Sequence, residues 1–155
     1  MTLDLKTIWE PYSDLLPFEQ VAKRLELLAP FQPEDPTAII PAMVFQPDGP
    51  KLRALIVVTA SMITELVVGG PPIEVVFDFV NRDRIFHVRW SFGAVSTAPR
   101  EGAPAKEYKM VRCELAHGYG QEWSTSLSFF GSNPDKWIET VRACFPSDVV
   151  RKPLT

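Results

Sequence analysis

The sequence predicts an α+β fold that is mainly antiparallel β, with about seven strands in two packed sheets or a bent barrel. Three observations support it. Residues 38–130 are rich in β-branched and aromatic residues that alternate with polar ones. One amphipathic helix starting at Asn133-Pro134-Asp135 closes this segment, and another helix precedes it. Because each strand has one apolar face, two sheets or a bent barrel are needed to cover those faces.

The length of 155 residues fits a single domain, residues 1–155. We expect an N-terminal arm and helix over residues 1–36, a β core with its closing helix over 37–146, and a tail over 147–155. A chain of this size buries about 68–70% of its unfolded surface, which is enough for a real core.

Composition excludes several classes of protein. The net charge of −3 argues against binding to nucleic acid and to the surface of an anionic membrane. No stretch approaches the roughly 20 apolar residues that span a bilayer, and Asp4 interrupts the N-terminus where a signal peptide would be apolar. Two cysteines cannot form a disulfide framework. We therefore expect a cytoplasmic protein.

The first helix is predicted over residues 15–28, with Pro17 near its start and prolines 30, 33 and 36 forming a stiff connector after it. One apolar stripe runs along this helix at helical spacing. It consists of Leu15, Phe18, Val21, Ala22, Leu25 and Leu28. If this stripe is exposed it would be buried by dimerisation, so self-association is expected.

Four strands follow, separated by turns rich in Gly, Pro, Asn and Asp. Pro41 in the first of them indicates an edge strand or a bulge, since proline cannot donate to a sheet ladder. The strands are residues 38–45, 52–59, 62–68 and 73–80, and the turns between them include 46–50 and 69–72.

The second half of the core is predicted to begin with a strand over residues 84–92. Phe86, Val88, Trp90 and Phe92 share one face, opposite His87, Arg89 and Ser91. Residues 93–106 are predicted to be a long mobile loop. A hairpin over 107–116 and 121–130 follows, in which serines 124, 126 and 128 face water. Ser132-Asn133 should cap the final helix, with Pro134 as its first residue.

The run from Leu55 to Ile63 resembles the strand–turn–strand of bacterial pleckstrin-homology-like domains. The segment from Phe79 to Phe92 resembles the next hairpin, and the last hairpin followed by residues 133–138 is similar to the closing strands and helix of that fold. The resemblance covers about residues 38–146. It implies a binding module without catalysis. Its phosphate-binding members use basic residues near the first hairpin, where this chain has only Lys51 and Arg53, beside Asp48.

Catalytic groups are scarce, so the sequence favours a protein that is not an enzyme. Cys113 and His117 share a strand face, but zinc needs three or four protein ligands, and the chain has two Cys and two His. We therefore predict no metal site, no cofactor and no catalytic residue. Cys144 lies on the apolar stripe of the last helix.

Four basic residues form the candidate ligand-binding site: Arg82, Arg84, His87 and Arg89. His87 and Arg89 share the polar face of their strand, with Arg82 and Arg84 at the turn before it. Such a patch binds a carboxylate, a phosphate or an acidic partner. The simpler interpretation is a solvated strand face with Asp78 and Asp83 as counter-charges.

Three functions are compatible with the sequence. The first is an interaction module that binds a partner protein or a small anionic ligand. The second is a small barrel-like carrier or enzyme whose aromatic interior holds an apolar ligand, although such aromatic residues more commonly form a core. The third is an acidic chaperone or immunity-type protein that binds a basic partner.

Overall fold

The computed structural model describes residues 4–68, 76–118 and 123–145, and for residues 76–79 and 123 the backbone alone. The fold class predicted from the sequence is confirmed: the strands are antiparallel and lie in two sheets, with helices before and after them. The helices are α1 (Leu5–Trp9), α2 (Phe18–Leu28) and α3 (Asp135–Cys144). The strands are β1 (Ala38–Gln46), β2 (Gly49–Val58), β3 (Met62–Val67), β4 (Val76–Asn81), β5 (Ile85–Ser96), β6 (Glu107–His117) and β7 (Trp123–Gly131). Short 3₁₀ helices span Glu10–Tyr12 and Arg82–Arg84.

The chain divides into two compact units. The first comprises residues 1–41 and 52–82, and the second comprises residues 42–51 and 83–155. One sheet has the strand order β1-β2-β3-β4 and the other has the order β5-β6-β7. The prediction of a single domain stays a prediction. None of the helices over residues 4–68, 76–118 and 123–145 has both the length and the apolar character needed to cross a bilayer.

In the first unit, the N-terminal arm is anchored by Trp9. Its side chain is fully buried, its indole Nε1 donates to the carbonyl of Leu16 at 2.7 Å, and its ring contacts Tyr12. Helix α2 starts at Phe18 rather than at residue 15, because Pro17 stands at its N-cap. Val21 and Leu28 of the predicted stripe are buried, whereas Phe18, Ala22 and Leu25 are half-buried.

A buried polar network fixes the connector after α2. Thr64 donates its hydroxyl to Gln32 at 2.9 Å, and the amide of Gln32 lies 3.4 Å from the hydroxyl of Thr59. The hydroxyls of Thr59 and Ser61 both donate to the carboxylate of Glu34. The bond from Ser61 is the main cause of the lowered pKa of Glu34. These bonds hold the proline-rich connector against the turn between β2 and β3.

In the second unit, α3 lies on one face of the β5-β6-β7 sheet. Trp137 stacks on Phe129 with a centroid distance of 5.7 Å, and meets Trp90 edge-on at 6.3 Å. The helix begins at Asp135, one residue later than predicted, because Pro134 is the N-cap; the side chain of Asn133 accepts from the amide of Asp135. Trp90, Phe129 and Trp137 therefore pack together between α3 and the sheet.

The tip of the β1–β2 hairpin belongs to the second unit and packs on the opposite face of that sheet, near its end. Phe45 contacts Phe130 at 5.5 Å and Tyr108 at 6.0 Å between ring centroids. Gly49 at the turn has a φ of 131°, a conformation that favours glycine.

The predicted mobile loop over residues 93–106 is wrong. Strand β5 continues to Ser96, pairing Gly93 with Met110 and Ser96 with Glu107. Residues 97–106 then turn as a small hairpin, in which Arg100 and Ala103 exchange two backbone hydrogen bonds. The predictions for the turn at 69–72 and the tail at 147–155 fall outside the described residues.

Candidate functional site

Arg82 lies in the first unit, and the structure gives it a role within the turn between β2 and β3. Its guanidinium Nη1 donates to the carbonyl of Thr59 at 2.8 Å, and its backbone N–H donates to Ser61. A guanidinium that binds backbone carbonyls in this way stabilises the turn. Arg82 belongs to the first unit, whereas the other three predicted residues belong to the second unit.

Arg84 stands just before β5 and is half-buried. Its carbonyl accepts from the backbone N–H of Gly118 at 3.2 Å, which extends the pairing of β5 with β6. The strand then contains a bulge between Ile85 and His87. Because the bulge adds one residue to β5, it determines which of the following residues lie on each face of the sheet.

His87 and Arg89 lie on one exposed face of β5, as predicted. The strand register shows which residues share that face on the neighbouring strands. Across β5, β6 and β7, one row of neighbours consists of Arg89, Glu114 and Ser126. The next row consists of Ser91, Arg112 and Ser128. We call this surface the arginine–serine face. It consists of His87, Arg89, Ser91, Arg112, Glu114, Ser124, Ser126 and Ser128.

The alternation of β7 separates this face from the core. Ser124 and Ser126 are exposed and Ser128 is half-buried, whereas Leu127 between them is fully buried. On β6, Arg112 and Glu114 alternate in the same way with the buried residues Val111, Cys113 and Leu115. The arginine–serine face is thus the polar side of a sheet whose other side packs against α3.

The two arginines of this face are not neutralised by its carboxylate. Arg89 and Arg112 lie diagonally across β5 and β6, roughly 7 Å apart in such a ladder. Glu114 is directly opposite Arg89 and two residues from Arg112. Nevertheless, the ion pairs within 4 Å in the described part of the chain are Asp48–Lys51 and Arg53–Glu65. Arg89 is exposed and Arg112 is half-buried, and neither has an ion-pair partner among the described residues.

The charge of the second unit agrees with that local arrangement. Its described residues, 42–51, 83–118 and 123–145, include nine Lys and Arg against seven Asp and Glu, a net charge of +2. The whole chain has a net charge of −3. The arginine–serine face therefore belongs to the basic part of an acidic protein.

Cys113 and His117 lie on the core side of β6. Burial, and the nearby charge of Glu114, raise the pKa of the Cys113 thiol to about 12, so it is not a thiolate near neutral pH. His117 lies 2.9 Å from the hydroxyl of Thr125, and burial lowers its pKa. No group of three potential metal ligands occurs among the residues that the structure describes.

Comparison with protein-family models, with curated proteins and with solved structures found no match to this chain. The sequence analysis did not include Arg112 in the candidate site. It also did not place the three serines of β7 beside the basic residues. Alternation in β6 and β7 does signal a polar face for each strand. Only the strand register, however, shows that these faces join the face of Arg89.

Proposed function

We propose that this protein is a non-enzymatic interaction module of the pleckstrin-homology-like type, and that its arginine–serine face binds an acidic segment of a partner protein. One observation carries the proposal. Arg89 and Arg112 stand on a sheet face without a carboxylate within 4 Å among the described residues. An arginine can bind a carboxylate through two parallel hydrogen bonds, which makes it well suited to this task.

The shape of the surface favours a protein partner over a small anion. His87, Arg89, Ser124 and Ser126 are all exposed on the face of a sheet. A small ligand is usually held in a concave site that removes most of its surface from water. An extended acidic segment can instead contact both arginines and the serine hydroxyls of β7 at once.

The pleckstrin-homology-like assignment is supported by the order of the elements. Seven strands form a sheet of four and a sheet of three, and a helix follows the last strand. We also propose that the protein is cytoplasmic, because both cysteines are free.

The test is a titration of a fluorescein-labelled polyglutamate peptide followed by fluorescence anisotropy. Replacing both arginines, Arg89→Ser with Arg112→Ser, should weaken binding by about tenfold or more, since charge-assisted hydrogen bonds are lost. The matched control is Lys136→Ser with Arg142→Ser, which removes two exposed positive charges from α3 and should leave the affinity nearly unchanged. Binding by the wild type should also weaken as salt is raised.

Two outcomes would reject the proposal. Equal affinities for the wild type and the double variant would show that the face is not used. Equal losses for the arginine double variant and for the α3 double variant would show only a general effect of charge. Displacement of the peptide by millimolar inorganic phosphate would instead point to a small-anion site on the same face.

A second candidate function rests on the first unit. Its described residues, 4–41, 52–68 and 76–82, include nine Asp and Glu against five Lys and Arg, a net charge of −4. A basic partner would be recognised there. In this case Glu19→Lys with Glu26→Lys, at two exposed positions of α2, should abolish capture of a polylysine probe. The arginine double variant should not affect that capture.

A further inference from the structure

Among the described residues, no strand pairs with the backbone hydrogen-bonding groups on the outer edge of β5. Among the described strands, β5 has a neighbour on one side only, β6. The backbone N–H of Thr97 donates to the carbonyl of Lys106, so the residues in phase with Thr97 direct their backbone groups towards β6. The alternate residues direct theirs away from the sheet. They are Val88, Trp90, Phe92, Ala94 and Ser96.

From Val88 to Ser96, beyond the bulge at Ile85/His87, this edge lacks the features that usually prevent pairing with another chain. Natural edge strands are interrupted by proline, lysine, a short length or a covering segment. Strand β5 has 12 residues, contains neither Pro nor Lys, and has Arg89 as its one fully charged residue. Strand β1, at the edge of the other sheet, contains Pro41.

Phe92 is the middle one of the five residues whose backbone groups point away from the sheet. Its residue surface is 66% exposed. Gly93 and Ala94 beside it are exposed as well. Phe92 shares its strand face with Trp90, as the alternation predicts, but Trp90 is half-buried. An exposed phenyl ring on an unprotected strand edge is a site for association with a second β-strand.

We propose that two copies of this chain associate through β5, antiparallel about a twofold axis at Phe92, to form a continuous six-stranded sheet. In this register Phe92 pairs with Phe92 of the second copy, and Trp90 pairs with Ala94. Arg89 faces Val95, so the pairing opposes no like charges. This self-complementarity favours a second copy over an acidic peptide, which would find a single charge on the strand. Twofold dimers are also the commonest oligomers.

Cysteine trapping tests the register. Paired residues of an antiparallel ladder have Cα atoms about 5.5 Å apart, a separation that a disulfide can bridge. In a Cys144→Ser background, Phe92→Cys should therefore form a disulfide-linked dimer rapidly under mild oxidation. The matched control Ala94→Cys places its two thiols roughly 13 Å apart along the strands, and should cross-link at least tenfold more slowly. Equal rates at both positions would overturn the register.

The oligomeric state tests the interface itself. Multi-angle light scattering should show a dimer for the wild type and a monomer for Phe92→Lys, because a charged edge residue opposes strand pairing. The variant should keep the far-ultraviolet circular dichroism of the wild type, since Phe92 is mostly exposed. A monomeric wild type at high concentration would refute the proposal, as would a dimer that survives Phe92→Lys. A dimer lost instead in Leu27→Lys would place the interface on α2, where Leu27 is 52% exposed.

Discussion

At the residue scale, burial decides which side chains can do chemistry. Cys113 is the residue that a search for a nucleophile would choose first, because His117 lies four positions along the same strand face. The structure places both on the core side of the sheet, where desolvation opposes the charged form of each group. The exposed His87 and Arg89 lie on the other face.

The first prediction concerns the reactivity of the two cysteines. With iodoacetamide at about pH 8, Cys113 should stay unmodified in the folded protein, because its thiol is buried and has a pKa raised to about 12. The half-buried Cys144 should react first. Mass spectrometry of the digested protein measures both rates. Cys113 should become reactive in urea, and rapid modification of Cys113 without urea would contradict its placement in the core.

The second prediction concerns the pH dependence of stability. Burial lowers the pKa of His117 below its ordinary value of 6.5, so the unfolded chain binds a proton more readily than the folded one. The neutral His117 therefore makes its full contribution to the free energy of unfolding above pH 6.5. That contribution is lost as the pH falls towards the lowered pKa of the folded state. Between pH 7.5 and pH 5.5, the free energy of unfolding measured in urea should fall less for His117→Gln than for the wild type. Equal losses would mean that His117 is solvated.

At the element scale, α3 packs on its sheet through a buried tryptophan. Trp137 is 1% exposed and is in contact with Phe129 and Trp90. Its ring fills the space between the helix and the apolar face of β5 and β7. Val141 and Phe145, one and two turns further along, are also buried.

The third prediction follows from this packing. Trp137→Ala should lower the free energy of unfolding by about 3–5 kcal/mol, the usual cost of removing a large buried aromatic side chain. The measurement is the midpoint of urea unfolding at constant m-value. Ile138→Ala, at the half-buried neighbouring position, is the matched control and should cost less. If the two variants cost the same, Trp137 does not fill the core of this unit.

The helices and strands also show which parts of the fold can be predicted from the sequence alone. Alternation predicted β5, β7 and their polar faces, because a half-buried strand must alternate. It could not predict α1, since five residues give too little periodicity and Trp9 holds this helix by tertiary contacts. The alternation also predicts that β5 ends at Phe92, whereas the strand continues to Ser96. Gly93 and Ala94 resemble loop residues, and only their pairing with β6 reveals a strand.

At the scale of the whole molecule, charge and edge structure suggest two separate interaction surfaces. The arginine–serine face lies on the broad side of the second unit's sheet, whereas the β5 edge is defined by the backbone at one side of that sheet. Arg89 and Ser91 belong to the arginine–serine face and also lie in the paired segment of β5, whereas Arg112 and Phe92 each belong to one surface. Binding of an acidic partner and pairing of two copies should therefore be separable by mutation, with Arg112→Ser affecting the first and Phe92→Lys the second.

The fourth prediction depends on the proposed dimer and concerns thermal stability. Association of folded chains stabilises them by mass action, and a hundredfold rise in concentration adds about 2.7 kcal/mol per dimer, shared between two chains. For a chain of this length that corresponds to a rise in Tm of roughly 3–5 °C. Differential scanning fluorimetry across this concentration range should show the rise for the wild type and for Ala143→Lys, which adds a lysine on the exposed side of α3. Phe92→Lys should show none. A Tm independent of concentration for all three proteins would mean that the β5 edge stays unpaired in solution, while leaving the arginine–serine face to be judged by its own titration.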